Sequence, residues 1–346
     1  MSRKQKKFSL RRVIFNVVAI LVLGALAVAA YFYIGFRNFA DAPISGLVEK
    51  TQIDMPLGTS LPGVVALMQQ QGFNPGPPLY WRVLARQLGV AGQLHAGEYA
   101  LDPGLTPRGL LRKMAAGDVI QHRFTIVEGW TFTQLHTALT QDAALAQTLA
   151  TIGDDEIMRR LADADTLPEG EFLPETYSYV KGMSDLDILR RAREAMRKTL
   201  DKLWTEHTAD TPLTSAYQAL ILASIVEKET ARTEERPRIA RVFLSRLKLG
   251  MKLQTDPTVI YGLGANYDGN LRRRDLDTDT PFNTYTRNGL PPTPIALPGK
   301  AALEAVVHPA ETDALYFVAR GDGAHEFSAT LEAHNRAVAK YQLHRQ

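Results

Sequence analysis

The sequence predicts an α+β protein: a single N-terminal transmembrane helix, then a small subdomain, then a larger α+β domain. Three observations carry that reading. An apolar run lies close to the N-terminus, strand-like stretches alternate with apolar-periodic helical ones through the rest of the chain, and the pattern changes near residue 120. With 346 residues, 45% hydrophobic and 22% charged, the chain has apolar mass for more than one core. It has no Cys, which excludes disulfide scaffolds, thiol nucleophiles, Cys-ligated zinc and iron–sulfur clusters.

Residues 1–12 form a basic tail holding Arg3, Lys4, Lys6, Lys7, Arg11 and Arg12 and no acid, so the formal charge of +3 becomes −3 for the remainder. A basic tail on an acidic body is not a nucleic-acid footprint, and no nucleic-acid partner is expected. Residues 13–36, VIFNVVAILVLGALAVAAYFYIGF, contain one strongly polar residue, Asn16. At 1.5 Å per residue they span roughly 36 Å, enough to cross a hydrocarbon core of about 30 Å with some tilt. A cleaved signal peptide is the competing reading, with Ala27-Val28-Ala29 as its small-residue site. Its apolar region would normally stop at about 7–15 residues, so an uncleaved anchor is preferred. The basic tail then stays cytoplasmic, Tyr31, Phe32, Tyr33 and Phe36 form an interfacial aromatic belt, and everything after Arg37 is exported.

Residues 37–120 form the small subdomain. VEKTQIDMP is strand-like; Thr59 or Ser60 can cap the helix in LPGVVALMQQQG, which Gly72 closes. PPLYWRVLARQLG repeats the helical pattern, GEYALDPG reads as strand and turn, and TPRGLLRKMAAG as a Thr-capped helix with Pro first. Such a strand–helix–helix–strand unit suits either a LysM-like glycan-binding module or an accessory spacer, and the pattern leaves both open.

Residues 121–346 form the larger domain. HRFTIVEGW is a strand leading to a turn, TFTQLHTALTQ a helix, and PEGEFLPETYSY an ordered loop. DLDILRRAREAMRKTLDKLW is a long amphipathic helix whose charges read as a solvated face. In the next helix, SAYQALILASIVEKET, a wheel with Leu222 at zero places Ile225 at about 300°, Val226 at about 40° and Glu229 at about 340°, all on one apolar stripe. Glu227 falls at about 140°, on the far side. A carboxyl on an apolar stripe is desolvated and keeps its proton toward neutrality, which suits a general acid. It can equally be a structural group satisfied by Arg232, Arg236 or the backbone. Other chemistries lack support: Ser224 and Lys228 have the wrong spacing for an acyl-serine enzyme, and neither an H-E-x-x-H pair nor a phosphate-binding loop occurs. Neither metal nor other cofactor is expected.

Farther on, LQTDPTVIYGLG, PFNTYTRNGLPPTPIALPG and HPAETDALYFVARGDGAHEFSATLEAHN are loops rich in hydroxyls, amides and rings. They suit a carbohydrate or are ordinary connections; YFVARGDGAHEF reads as a hairpin turning at Gly321-Asp322-Gly323.

Four stretches together, ASIVEKET (223–230), LQTDPTVIYG (253–262), NTYTRNGLPPTPIALPG (283–299) and HPA…LYFVA…G…H.F (308–327), resemble the endolytic murein transglycosylases, also called YceG-like or MltG-type proteins. The resemblance starts at Val127-Glu128-Gly129 and covers about two-thirds of the chain. It implies an anchor, a LysM-like subdomain and a catalytic domain in a bacterial inner-membrane protein, its N-terminus cytoplasmic and its catalytic domain periplasmic. The implied reaction cleaves the β-1,4 bond between N-acetylmuramic acid and N-acetylglucosamine inside nascent peptidoglycan strands. It leaves a 1,6-anhydro-muramyl end and terminates elongation. Implied partners are glycan strands, the lipid bilayer through residues 13–36, and peptidoglycan synthases.

The family's catalytic Glu is the second acid of E-K-E-T, here Glu229, which the wheel also selects. One Glu suffices when the sugar's own C6 hydroxyl is the nucleophile, whereas a retaining hydrolase needs a second carboxylate about 5–5.5 Å away. Glu171, Glu175 and Asp256 could supply one. Gln254, Thr255, Asp256, Tyr261, Asn283, Thr284, Tyr285 and Asn288 are the candidate groove residues. A non-catalytic membrane-tethered scaffold and a hydrolytic muramidase are the alternative functions.

Overall fold

The computed structural model describes residues 10–56, 58–163 and 166–343, so residues 1–9 of the expected cytoplasmic tail lie outside the described residues. The chain divides after Gln121 into two units.

In the first, α1 (Leu10–Asp41) is among the described residues the helix long and apolar enough to cross a membrane. Val13 to Ile34 turn almost all their side chains outward, a pattern consistent with a membrane-spanning helix. The helix runs five residues past the apolar stretch because its last turn enters a core. Ala40 is fully buried, and Phe36 and Phe39 pack on the same cluster, so Phe36 faces protein where the sequence suggested a lipid belt. β1 (Thr51–Met55) pairs antiparallel with β2 (Gly97–Leu101), placing Ile53 opposite Tyr99. Their buried faces meet α2 (Leu61–Gln70), α3 (Pro78–Leu88) and α4 (Pro107–Ala115) around Trp81, Leu84, Leu110 and Met114. Thr106 caps α4 as expected, accepting from the Gly109 N–H at 3.0 Å. Ser60 stands at the α2 N-cap position without a side-chain cap, and Thr59, the other expected cap, donates its Oγ1 to the Pro56 carbonyl.

In the second unit, β3 (Gln121–Thr125) pairs with β4 (Thr176–Val180), and α5 (Phe132–Gln141) and α6 (Asp154–Arg160) share their core. The expected loop PEGEFLPETYSY ends in a strand, because Tyr177 and Tyr179 alternate inward with period two while Ser178 faces out. α7 (Asp185–Thr205) is amphipathic, but two of its charges are buried. Asp185 accepts the Thr148 and Leu149 N–H groups, and the Arg193 guanidinium bonds Asp163 and the Leu161 carbonyl.

The main core of this unit is built on α8 (Ala216–Glu229), packed against α7, α9 (Arg236–Lys248) and α10 (Asp256–Leu263), and, beyond the short α11 (Arg273–Asp277), α12 (Lys300–Val307). Residues 219–227 are all buried, so α8 has no exposed face along this stretch, as expected of a central helix. A hairpin of β5 (Tyr316–Ala319) and β6 (His325–Ser328) follows, turning at 321–323 with Gly321 and Gly323 at positive φ, and then α13 (Leu331–Val338). The fold is mixed helix and sheet with one N-terminal apolar helix.

Candidate active site

Glu229 is the last residue of α8, and the backbone turns extended at Thr230 (φ −147°, ψ 137°). The carboxylate therefore leaves the core where the helix stops and the carbonyl end of the helix dipole adds negative potential. It opens into a cleft of about 450 Å³ lined by Arg246, Gln254, Asp256, Tyr285 and His325 among others. One oxygen accepts the Thr255 hydroxyl. Burial pushes its pKa up to about 7, helped by the Asp256 charge and opposed by the Thr255 hydrogen bond and the His325 and Arg246 charges.

The walls are built from loops tied to one another. Gln254 holds φ +52°, a left-handed conformation costly for a side-chain-bearing residue, and its N–H donates to the Thr284 carbonyl at 3.2 Å. This turn buries Leu253 on one side and sets Thr255 behind Glu229. The Thr255 N–H donates to Thr284 Oγ1 (3.1 Å), which also meets Thr258 Oγ1 (2.9 Å). Asn283 is buried and spends its amide on the Leu276 and Thr278 carbonyls (3.0 and 2.6 Å), while its Oδ1 accepts the Tyr285 N–H (2.8 Å). The Tyr285 hydroxyl so placed donates to Asp256 at 2.5 Å.

On the opposite wall, the Glu235 carboxylate accepts both the backbone N–H of His325 (3.0 Å) and its Nδ1 (2.7 Å). Burial raises the Glu235 pKa, but these bonds outweigh it and hold the group below the usual range. An ionised carboxylate can only accept, so the His325 proton sits on Nδ1. Arg246 is buried behind, donating to the Leu253 and Leu315 carbonyls (both 2.7 Å) with its guanidinium 5.2 Å from the Tyr316 ring centre.

Of the eight expected groove residues, Gln254, Asp256 and Tyr285 line this cleft; Thr255, Asn283 and Thr284 stand behind it as buried supports. Tyr261 is elsewhere: its hydroxyl donates to Glu169 at 3.0 Å, a carboxyl that burial pushes up to about 7 and that also accepts the Phe132 N–H. Asn288 is exposed and is not among the cleft residues. Of the three possible second carboxylates, Asp256 shares the cleft with Glu229. Glu171 faces Arg193 at 3.8 Å, and Glu175 is exposed. Sequence reasoning does not single out His325, Arg246 or Glu235 for the site. His325 lies within the H.F motif, and nothing local marks the other two.

The outward position assigned to Glu227 is wrong. Its oxygens accept Arg236 Nη2 at 2.7 Å and the Gly299 N–H at 2.9 Å, and it is buried. α8 is enclosed on all sides, so its far side is core. Glu128 joins the same Arg236 at 3.4 Å and fills the space beside Gly299, where a Cβ would lie 1.9 Å from its oxygen. Backbone bonds Gly129 N to Leu297 O and Leu297 N to Trp130 O (2.9 and 2.7 Å) close this knot. Thus V-E-G, the first acid of E-K-E-T and A-L-P-G form a support beneath the end of α8.

The chain matches the model of the YceG-like family over residues 53–340. It is 30% identical over 306 residues to a Bacillus subtilis (strain 168) protein named endolytic murein transglycosylase, covering 84% of each chain. A Streptococcus pneumoniae (strain D39) protein of that name is 27% identical over 94% of this chain, which spans 65% of that longer relative. The crystal structure of a YceG-like protein from Listeria monocytogenes superposes with a TM-score of 0.52 at 28% identity, covering 83% of this chain and 99% of that one.

Proposed function

The chain belongs to the YceG-like family, and from that premise we propose that it is an endolytic murein transglycosylase. In this reading it cuts the β-1,4 bond between N-acetylmuramic acid and N-acetylglucosamine inside nascent strands, leaves a 1,6-anhydro-muramyl end and so stops elongation. The observation that carries it is Glu229, a carboxyl with a pKa near 7 at the floor of a polar cleft. Near neutrality a large fraction is protonated and can donate to the leaving glycosidic oxygen as the C1–O4 bond breaks. The muramyl C6 hydroxyl then forms the C1–O6 bond and returns its proton to the Glu229 carboxylate, so no water is consumed. Asp256, oriented by Tyr285, supplies negative charge toward the cation that develops at C1. Gln254 and His325, which line the same cleft, orient the sugars in this reading.

Mass spectrometry of strands cut by the full chain tests this. Anhydro ends support the lytic reaction, and reducing ends would instead make the protein a hydrolytic muramidase, the second reading, which the presence of Asp256 in the cleft favours. A scaffold that binds strands and releases nothing would overturn both.

The remaining layout belongs to the same proposal. Residues 13–36 anchor the protein in the inner membrane with the N-terminus cytoplasmic and residues 37–346 periplasmic. Residues 37–120 act as a LysM-like glycan-docking unit, 121–346 are catalytic, and peptidoglycan synthases are the neighbours that supply the strands. Reporter fusions after Arg37 test the orientation, an enzyme active only in the cytoplasm being the adverse result. Deleting 48–120 should reduce activity on membrane-associated strands more than on short soluble glycans.

A further inference from the structure

The first unit carries an exposed stripe that glycan cleavage does not use. Along α3, Leu79, Arg82, Val83 and Arg86 recur at i, i+3, i+4 and i+7, and all four are exposed, Leu79 at 61% and Val83 at 46%. Trp81, Leu84 and Ala85 bury the opposite side, and the helix has no acidic residue. Two aliphatic side chains flanked by two guanidiniums suit the boundary between acyl chains and anionic headgroups.

What locates this stripe is α1. The Tyr80 ring packs on Phe36 and Phe39 with centroids 5.8 and 5.4 Å apart, and its hydroxyl lies 3.0 Å from where a Cβ on Gly35 would be. The start of α3 therefore stands level with the last residues of the apolar run. If that run, roughly 36 Å long, is centred on a core of about 30 Å, its end lies about 3 Å outside the hydrocarbon, within the headgroup layer. α4 meets α1 higher, where Arg108 bonds Asp41 at 2.7 Å, about 8 Å farther along the axis. α3 is thus set low on the anchor with its stripe turned away from the core. The anchor is one unbroken helix from Leu10 to Asp41 whose end is buried in that core, so no hinge separates bilayer from unit.

We propose that the Leu79, Arg82, Val83 and Arg86 face of α3 rests in the headgroup layer of an anionic phospholipid membrane, seating the first unit on the bilayer as a fixed platform. The proposal rests on reading residues 13–36 as a membrane anchor.

Because the chain lacks Cys, full-length Leu79→Cys, Val83→Cys and, inside α1, Leu21→Cys each take one environment-sensitive fluorophore. The first two positions are exposed, so the substitutions leave packing intact. In vesicles of phosphatidylethanolamine and phosphatidylglycerol, labels at 79 and 83 are expected to be quenched by a shallow lipid-borne quencher and shielded several-fold from iodide relative to dye on free cysteine. Adding Arg82→Glu and Arg86→Glu should weaken the shielding. Labels at 79 and 83 open to iodide with Leu21 embedded in lipid would overturn the proposal and leave the anchor standing. Leu21 open to iodide would overturn the anchor itself, and the proposal with it.

Discussion

Replacing Glu229 by Gln should slow the enzyme and stabilise it, and the two effects have one cause. A carboxyl moved from 4.5 to about 7 in the folded state binds a proton between those values that the unfolded chain does not. Stability is therefore fully present below about pH 4.5 and falls as pH rises toward 7. The cost above pH 7 is at most about 3 kcal/mol, because each pH interval of one between the two values is worth about 1.36 kcal/mol. Gln cannot ionise, so it escapes this loss. The stability gap between Glu229→Gln and wild type should be near zero at pH 4, about 1 kcal/mol at pH 5 and about 3 kcal/mol at pH 8, which for a unit of this size is a rise of several degrees in Tm. Turnover should fall by roughly 10²–10⁴-fold, since the amide neither donates nor accepts the catalytic proton. Thermal melts at these pH values, with strand cleavage measured alongside, check both halves. A gap that does not change with pH would mean Glu229 is already ionised in the folded protein, and unimpaired turnover in the variant would remove it from the chemistry.

Glu227→Gln should behave oppositely, because it leaves the buried Arg236 guanidinium without its close partner. A loss of about 3–5 kcal/mol is expected by urea denaturation, and an unchanged midpoint would refute the knot beneath α8. Gly299→Ala places a Cβ on Glu128 and should lower Tm; Glu128→Ala should restore most of it, so strictly additive losses would count against the contact. Tyr285→Phe removes the hydroxyl that orients Asp256. The expected result is a reduced kcat with little change in strand binding and the same product ends, whereas a loss confined to binding would assign Tyr285 to the sugar alone.

Local signals read well here. Thr106 with Pro107 announces the start of α4, the Gly321-Asp322-Gly323 turn joins β5 to β6, and a wheel that needs only residue spacing puts Glu229 on the stripe of the buried Ile225 and Val226. The same wheel fails for Glu227. It shows which residues share a side of the helix but not whether the other side meets water, and here α7, α9 and α12 cover it. Tyr261 fails likewise, because its partner Glu169 lies 92 residues earlier. Asn283 looks like a sugar ligand by residue type, yet its amide is consumed by backbone carbonyls at the end of α11 and just after it.

The sequence by itself determined the long apolar N-terminal helix, the order of elements in the first unit and the single acid worth testing, since hydrophobic period, caps and apolar length are properties of neighbours along the chain. LQTDPTVIYGLG, read as a loop, instead holds α10. Only the tertiary structure decided what surrounds that acid. Asp256, Tyr285, Arg246 and the His325–Glu235 pair reach the cleft from four stretches of chain. The pKa of Glu229 comes from burial, a hydroxyl 26 residues away and charges on Arg246, Asp256 and His325, and desolvation and Coulomb interaction depend on distance in space, which spacing along the chain does not encode.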